Sequence, residues 1–175
     1  MHSLKNLILS LIALIGAGVV NAAEPALAPD TYQIRNKAFG ELLRPEDANS
    51  ANGTPIVLYP AQSWKCMTWR FHAADESAFS LQNLFTSKTF APDAKGDAAQ
   101  PALSQVPFGK EAASRPGWRF TKLADGTYRI QEAGSERSLT AVRQNGGYRI
   151  QLQPWKESAE QKWSLEKIDA KSLTM

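Results

Sequence analysis

One pattern of aromatic residues occurs three times along this chain. Tyr32-Gln33-Ile34, Phe79-Ser80-Leu81 and Tyr128-Arg129-Ile130 each open a unit, and Trp69-Arg70-Phe71, Trp118-Arg119-Phe120 and Trp163-Ser164-Leu165 each close one. Self-similarity at a fixed period of roughly 20–50 residues marks a fold assembled from copies of one small unit, none of which buries its apolar face alone. A chain built this way has to close its units onto one another.

Inside the units the apolar residues alternate. Tyr32 and Ile34, Ile56 and Leu58, and Trp69 and Phe71 follow the period of two that a half-buried strand requires. Leu42 and Leu43 begin another strand, and Leu139, Ile150 and Leu152 mark the middle strands of the third unit. Asn52-Gly53, Asp125-Gly126 and Asn145-Gly146-Gly147 supply turns that accept positive φ, and Asp125-Gly126 between Leu123 and Tyr128 is the clearest hairpin. Asn52-Gly53-Thr54 also has the form of a glycosylation acceptor, although the turn is the stronger reading. The second unit is the most eroded, with loops expected at Asp93 to Ala102 and Gly109 to Gly117. Prolines, glycines and the period of two interrupt any long helical pattern. The expectation is an all-β chain of many short strands whose closure into a barrel removes exposed edges. Ala170 to Met175 is expected to fray.

The ends and the charge narrow the class. Residues 1–22 read as a signal peptide: Lys5 is the positive n-region, Leu7 to Val20 an apolar core, and Val20-Asn21-Ala22 a cleavage site. A bilayer span needs about 20 apolar residues, so this run favours a cleaved leader over a retained anchor, and no membrane span is expected after cleavage. Residues 23–30 form a flexible lead-in. The expected location is secreted or periplasmic. The formal charge of +3 is spread without a basic stripe, which argues against nucleic acid as a partner. Cys66 is the single cysteine, so no internal disulfide forms, and a core of this length does not need one.

Signatures of catalysis are thin. His72 is the one histidine outside the leader and follows directly on Trp69-Arg70-Phe71, which suits a surface or strand-end residue. Cys66 with His72 has the types of a nucleophile and its base, but the local sequence does not join them, and a buried, inert thiol is the better reading. No metal-ligand spacing and no phosphate-cradling glycine loop occurs. No catalytic residue, metal or cofactor is expected, and the chain reads as a non-enzyme.

The arrangement resembles the ricin-type β-trefoil lectin domain, known for its Gln-x-Trp repeats. The third unit carries that motif intact at Gln161-Lys162-Trp163; Met67 and Pro116 stand at the glutamine position of the other two. Tyr32 to Asn36, Gly40 to Leu43 and Asn52 to Tyr59 match the first unit's strands and turns. The resemblance covers about residues 31–168, with repeats at about 31–72, 79–121 and 128–168 and a tail at 169–175. It implies three four-stranded units around a pseudo-threefold axis. It also implies one sugar site per unit, built from an Asp, a Gln two residues before an aromatic, and an Asn beside the Gln-x-Trp glutamine.

Carried onto this chain, no unit keeps the full set. In the first unit Arg44 stands for the Asp, with Asp47 as a substitute downstream; Val57 stands for the Gln, Tyr59 keeps the aromatic and Cys66 replaces the Asn. In the second, Ala91 stands for the Asp, and Phe108 has the spacing of the aromatic. In the third, Thr140 stands for the Asp, Gln151 is kept, Gln153 holds the aromatic place with Trp155 two residues on, and Glu160 replaces the Asn. Trp64 and Trp155 lie outside the closing motif, either packed on the barrel or exposed as stacking platforms. The candidate carbohydrate-binding residues are therefore Tyr59, Asp47, Trp64, Gln151, Trp155 and Glu160. The resemblance implies a non-catalytic lectin whose partner is a glycan or glycoconjugate. The alternative is a protein-binding trefoil, such as a toxin receptor-binding subunit or a protease inhibitor, using the long loops as its contact surface.

Overall fold

The computed structural model describes residues 27–74, 78–94, 96–109 and 117–174. The leader, its cleavage site and most of the lead-in lie outside the described residues, as do most of the loop at Gly109 to Gly117 and Met175.

Twelve strands run through the described residues. They are β1 (Thr31–Asn36), β2 (Leu42–Pro45), β3 (Ile56–Tyr59), β4 (Thr68–Ala73), β5 (Ala78–Asn83), β6 (Thr89–Pro92), β7 (Leu103–Val106), β8 (Trp118–Lys122), β9 (Tyr128–Glu132), β10 (Arg137–Gln144), β11 (Gly147–Pro154) and β12 (Lys162–Lys167). All named pairings are antiparallel. β1 pairs with β12 and β4, β4 with β5, β5 with β8, β8 with β9, and β9 with β12. That chain of partners returns to its start, so six strands close a barrel without a free edge. The remaining strands form three hairpins, β2–β3, β6–β7 and β10–β11. Three copies of one four-stranded unit, each giving two strands to the barrel and one hairpin, make a β-trefoil with pseudo-threefold symmetry, the fold implied by the resemblance.

The alternation of the sequence becomes the wall of the core. Ile34, Leu81 and Ile130 point inward from the first strand of each unit, and Trp69, Trp118 and Trp163 from the last; none is more than 4% exposed. Phe90 joins two of the tryptophans, 5.1 Å from Trp69 edge-on and 4.9 Å from Trp118. A buried indole must also place its N–H. The Nε1 of Trp69 donates to the Leu43 carbonyl and that of Trp163 to the Leu139 carbonyl, both at 3.0 Å. Each bond ties a barrel strand to the hairpin of its own unit.

The Gln-x-Trp glutamine has a structural role of the same kind. Gln161 is 1% exposed. Its Nε2 donates to Pro154 O (2.8 Å) and Thr140 Oγ1 (3.0 Å), and its Oε1 accepts from Lys156 N–H (2.6 Å). It fastens the loop that carries Trp155. Met67 fills the corresponding place in the first unit with an apolar side chain, packed on Leu42 and Cys66. Asn36 and Asn83 join neighbouring units: Asn36 Nδ2 donates to Glu160 O and Asn83 Nδ2 to Cys66 O, so the end of one unit's first strand holds the turn before another unit's last strand.

The turns follow their glycines where the chain reverses most sharply. Asn145 (φ 50°) and Gly146 (φ 79°) link the paired residues Gln144 and Gly147, the two-residue turn that suits strand twist. Two expectations need correction. The segment Ala170 to Thr174 is held rather than frayed: Lys65 N–H donates to Thr174 O and Thr174 N–H to Ser63 O, both at 3.0 Å. Unsatisfied backbone groups of the Ser63–Lys65 loop capture it. Phe108 is not the second unit's counterpart of Tyr59. Register gives that place to Val106, opposite Thr89 as Tyr59 is opposite Leu42, and Phe108 lies beyond β7, its ring 5.0 Å from His72.

Replacing Gln161 by Ala should cost about 1–3 kcal/mol in urea unfolding, because it strands the Lys156 N–H and the Pro154 carbonyl. Asp125 generates a pH dependence. Its carboxylate accepts from Lys37 Nζ (2.8 Å), Thr127 Oγ1 and N–H, and Lys162 Nζ, bridging the β1–β2 turn to β12. Those donors, Lys37 first, hold its pKa well below the ordinary 3.8. A depressed acid adds stability above its unfolded pKa and loses it as pH falls toward the folded value. The melting temperature should therefore be higher than that of Asp125→Asn at pH 6, and the gap should begin to narrow as pH falls below about 4 and vanish only as pH approaches the lowered folded value.

Candidate functional site

Period-two alternation gives each hairpin an outer face opposite the core. On β2–β3, Leu43, Ile56 and Leu58 face inward; Leu42, Arg44, Val57 and Tyr59 share the outer face, with Arg44 opposite Val57 and Leu42 opposite Tyr59. The equivalent outer positions are Thr89, Ala91, Ser104 and Val106 in the second unit and Ser138, Thr140, Gln151 and Gln153 in the third. The three implied sugar sites thus occupy equivalent faces with different side chains.

The first unit has the most chemistry. A cleft of about 200 Å³ lies between β2–β3 and the tip of the β10–β11 hairpin, with Arg44, Asp47 and Tyr59 on one side and Tyr148 and Arg149 on the other. Arg44 and Tyr59 are diagonal neighbours on one face, the relation that lets long side chains meet across a ladder. The Arg44 guanidinium carbon sits 4.0 Å from the Tyr59 ring centroid. Tyr59 is 40% exposed, and Trp64 lies 6.2 Å away at 30° to it. Asp47 occupies a left-handed turn position (φ 52°) that pushes its side chain into solvent, 91% exposed. Across the cleft Arg149 Nη1 pairs with Glu46 Oε1 at 2.6 Å.

In the third unit the predicted residues separate. Gln151 accepts from the Gln153 amide at 3.1 Å. Trp155 is half-buried past the end of β11, in a shallow hollow of about 320 Å³ with Arg129 and Arg137; the Arg129 guanidinium carbon is 5.1 Å from its ring. Glu160 is half-buried on a 3-10 turn (Ala159–Gln161), its carboxyl held below the ordinary range by its own backbone N–H and Ser158. Thr140, at the implied Asp position, is buried and spends its hydroxyl on Ser138 O and Gln161. The hollow beside Trp155 is lined by neither Gln151 nor Glu160. The second unit's small outer side chains leave a wider depression of about 700 Å³, bordered by Asp93 and Trp118.

Glu46, Gln144, Tyr148 and Arg149 line the first-unit cleft without being singled out from sequence. Arg149 and Tyr148 come from the third unit, and no local pattern announces that its hairpin tip reaches the first unit's face. Arg44 was visible as an exchange of charge at the Asp position.

Cys66 and His72 belong to different environments. Cys66 packs with Leu42 and Met67, and burial pushes its thiol pKa up, with Arg44 pulling weakly the other way. His72 Nε2 contacts Gln82 Oε1 at 3.1 Å. Among the described residues no group of three or more His, Cys, Asp or Glu side chains has the geometry to hold a metal, and no helix is long and apolar enough to cross a membrane.

No family model and no curated protein sequence matches this chain. Solved structures match it well. The designed threefold-symmetric protein ThreeFoil is similar over 79% of this chain and 99% of its own, with a TM-score of 0.70 at 17% identity. The ricin B-like lectin of Macrolepiota procera, solved with lactose, is similar over 83% of this chain and 100% of its own, with a TM-score of 0.67 at 18% identity. An exo-β-1,3-galactanase from Clostridium thermocellum is similar over 83% of this chain, with a TM-score of 0.70 at 19% identity, but this chain spans only 32% of that enzyme. At these identities the likeness shows the fold alone, a β-trefoil.

Cys66 should behave as an inert core thiol. Ellman's reagent at pH 7.5 should react with it only on the timescale of unfolding and promptly in denaturant. Fast native labelling would place the thiol within reach of the cleft.

Proposed function

We propose that the protein is a non-catalytic carbohydrate-binding module that acts after export, in the periplasm or outside the cell. The observation that carries this reading is the first-unit cleft. It is a concave site at a position where the resemblance to ricin-type trefoils implies a sugar, with a 40% exposed tyrosine beside a tryptophan and flanked by carboxylates. An aromatic face covers the C–H side of a pyranose ring, and neighbouring carboxylate and guanidinium groups hydrogen-bond its hydroxyls. Trp155 offers a second platform in the third unit. The lactose bound by the Macrolepiota procera lectin supports a glycan as the ligand class. Export is supported by the sequence of residues 1–22. Non-catalytic action is supported by the separate surroundings of His72 and Cys66 and by the lectins among the similar structures.

A glycan array probed with the wild-type protein beside Tyr59→Ala, Trp155→Ala and the double variant tests the reading. Selective binding should fall roughly tenfold with loss of the aromatic that supports it, the scale of one contact worth about 1.5 kcal/mol. Thermal melts should show all three variants folded, because neither ring belongs to the core. An absence of glycan binding by folded wild-type protein would sink the reading and turn the search to a protein partner.

A further inference from the structure

The first-unit cleft holds a charge that the fold leaves poorly matched. Arg44 is 7% exposed at its side chain, and its Nε has no hydrogen-bond partner. The carboxylate in ion-pair reach, Asp47, lies 3.8 Å from Nη2, beyond hydrogen-bond distance, and is almost wholly in solvent. Glu46, the other acid lining the cleft, is engaged with Arg149 at 2.6 Å. A buried cation is costly unless paired and hydrogen-bonded. Tyr59 covers one face of the guanidinium and leaves the group bordering the cleft. The planar fork of donors on a guanidinium fits a carboxylate with two parallel bonds. Sugar hydroxyls satisfy such donors but leave the buried charge unneutralised.

We propose that this cleft binds a carboxylate-bearing sugar, a uronic or sialic acid residue, with Arg44 receiving the carboxylate in place of the distant Asp47 and Tyr59 flanking the ring. This rests on the carbohydrate-binding reading and sharpens it. An aspartate at position 44 would accept from hydroxyls and repel an acid; the arginine reverses that selection. The cleft's volume suits one terminal residue rather than a long chain.

The test is an array of uronic- and sialic-acid-terminated oligosaccharides printed beside their methyl esters, their neutral parent sugars and sulfated sugars. It is probed with wild type, Arg44→Met, Arg44→Lys and Asp47→Asn. Wild type should favour the acids over the esters by about tenfold or more. Arg44→Met should abolish that preference, and Arg44→Lys should keep part of it, having the charge without the fork. Asp47→Asn should tighten acid binding several-fold by removing the competing internal carboxylate. Arg44→Met should also melt no lower than wild type, because it replaces a poorly paired buried ion by an apolar chain of similar length. Equal binding of acids and esters, a preference for sulfated sugars, or a preference that survives in Arg44→Met would overturn the proposal. Neutral sugars bound through Tyr59 without an acid preference would overturn it while leaving the lectin reading intact. No binding to any sugar would remove both.

Discussion

The indole N–H of a fully buried tryptophan has few acceptable partners, and much of this fold follows from where it finds them. Trp69 and Trp163 each donate to the carbonyl of a hairpin leucine, Leu43 or Leu139. The bond does two things at once. It satisfies a donor that would otherwise cost free energy in an apolar core, and it fixes the height and rotation of a hairpin over the barrel. The leucine that supplies the carbonyl faces the core, so its neighbour Arg44 or Thr140 is turned outward by the strand period. A tryptophan inside the barrel thereby positions the residue on which the outer site is built.

The same geometry lets the fold persist while the sites diverge. Inner positions of the three hairpins stay mostly apolar: Leu43, Ile56 and Leu58 in one, Phe90 and Leu103 in the next, Leu139, Ile150 and Leu152 in the third. The exception, Gln105, stands where the other units have Leu58 and Leu152, and its buried amide donates to Asn49 O and Ala51 O, locking the second unit to the first. Several outer positions are freer: Arg44 and Tyr59 in one unit stand where the others have Ala91 and Val106, or Thr140 and Gln153. A trefoil can therefore lose, exchange or invert a site in one unit and keep the other two.

What the sequence made legible follows this division. The three tryptophans, the inward alternation and the Asp125-Gly126 and Asn145-Gly146 turns all express local rules and point to an all-β repeat chain; the trefoil itself came with the resemblance to ricin-type domains. Asn36 was visible as the end of the first unit's opening strand, but the work that it and Asn83 do, holding another unit's turn, depends on a closed barrel that no single unit contains. The Phe108 spacing misled because loop length in the second unit differs, and strand register rather than residue count decides which side chain is equivalent. The tail was expected to fray because it is a chain end; the backbone groups that capture it belong to a loop more than a hundred residues away. For the site, the sequence placed Arg44, Tyr59 and Asp47 near one another. It did not reveal that Arg44 is buried, since charged residues rarely are, or that Arg149 and Tyr148 cross from the third unit.

The burial of Arg44 also changes what Tyr59 can do. A ring already stacked at 4.0 Å by a guanidinium has one face occupied, so the tyrosine is not the open platform that its exposure alone suggests. In the proposed site, recognition then leans on charge and hydrogen bonds, with the ring holding the cation in place as much as touching the ligand. Trp155 is different: Arg129 stands 5.1 Å from its ring, and the hollow beside it is shallow and lined with apolar surface. Two units of one scaffold thus present two kinds of surface, one suited to an anion held in a cleft and one to a flat apolar face. Both come from the same pair of outer strand positions and the few residues that follow them.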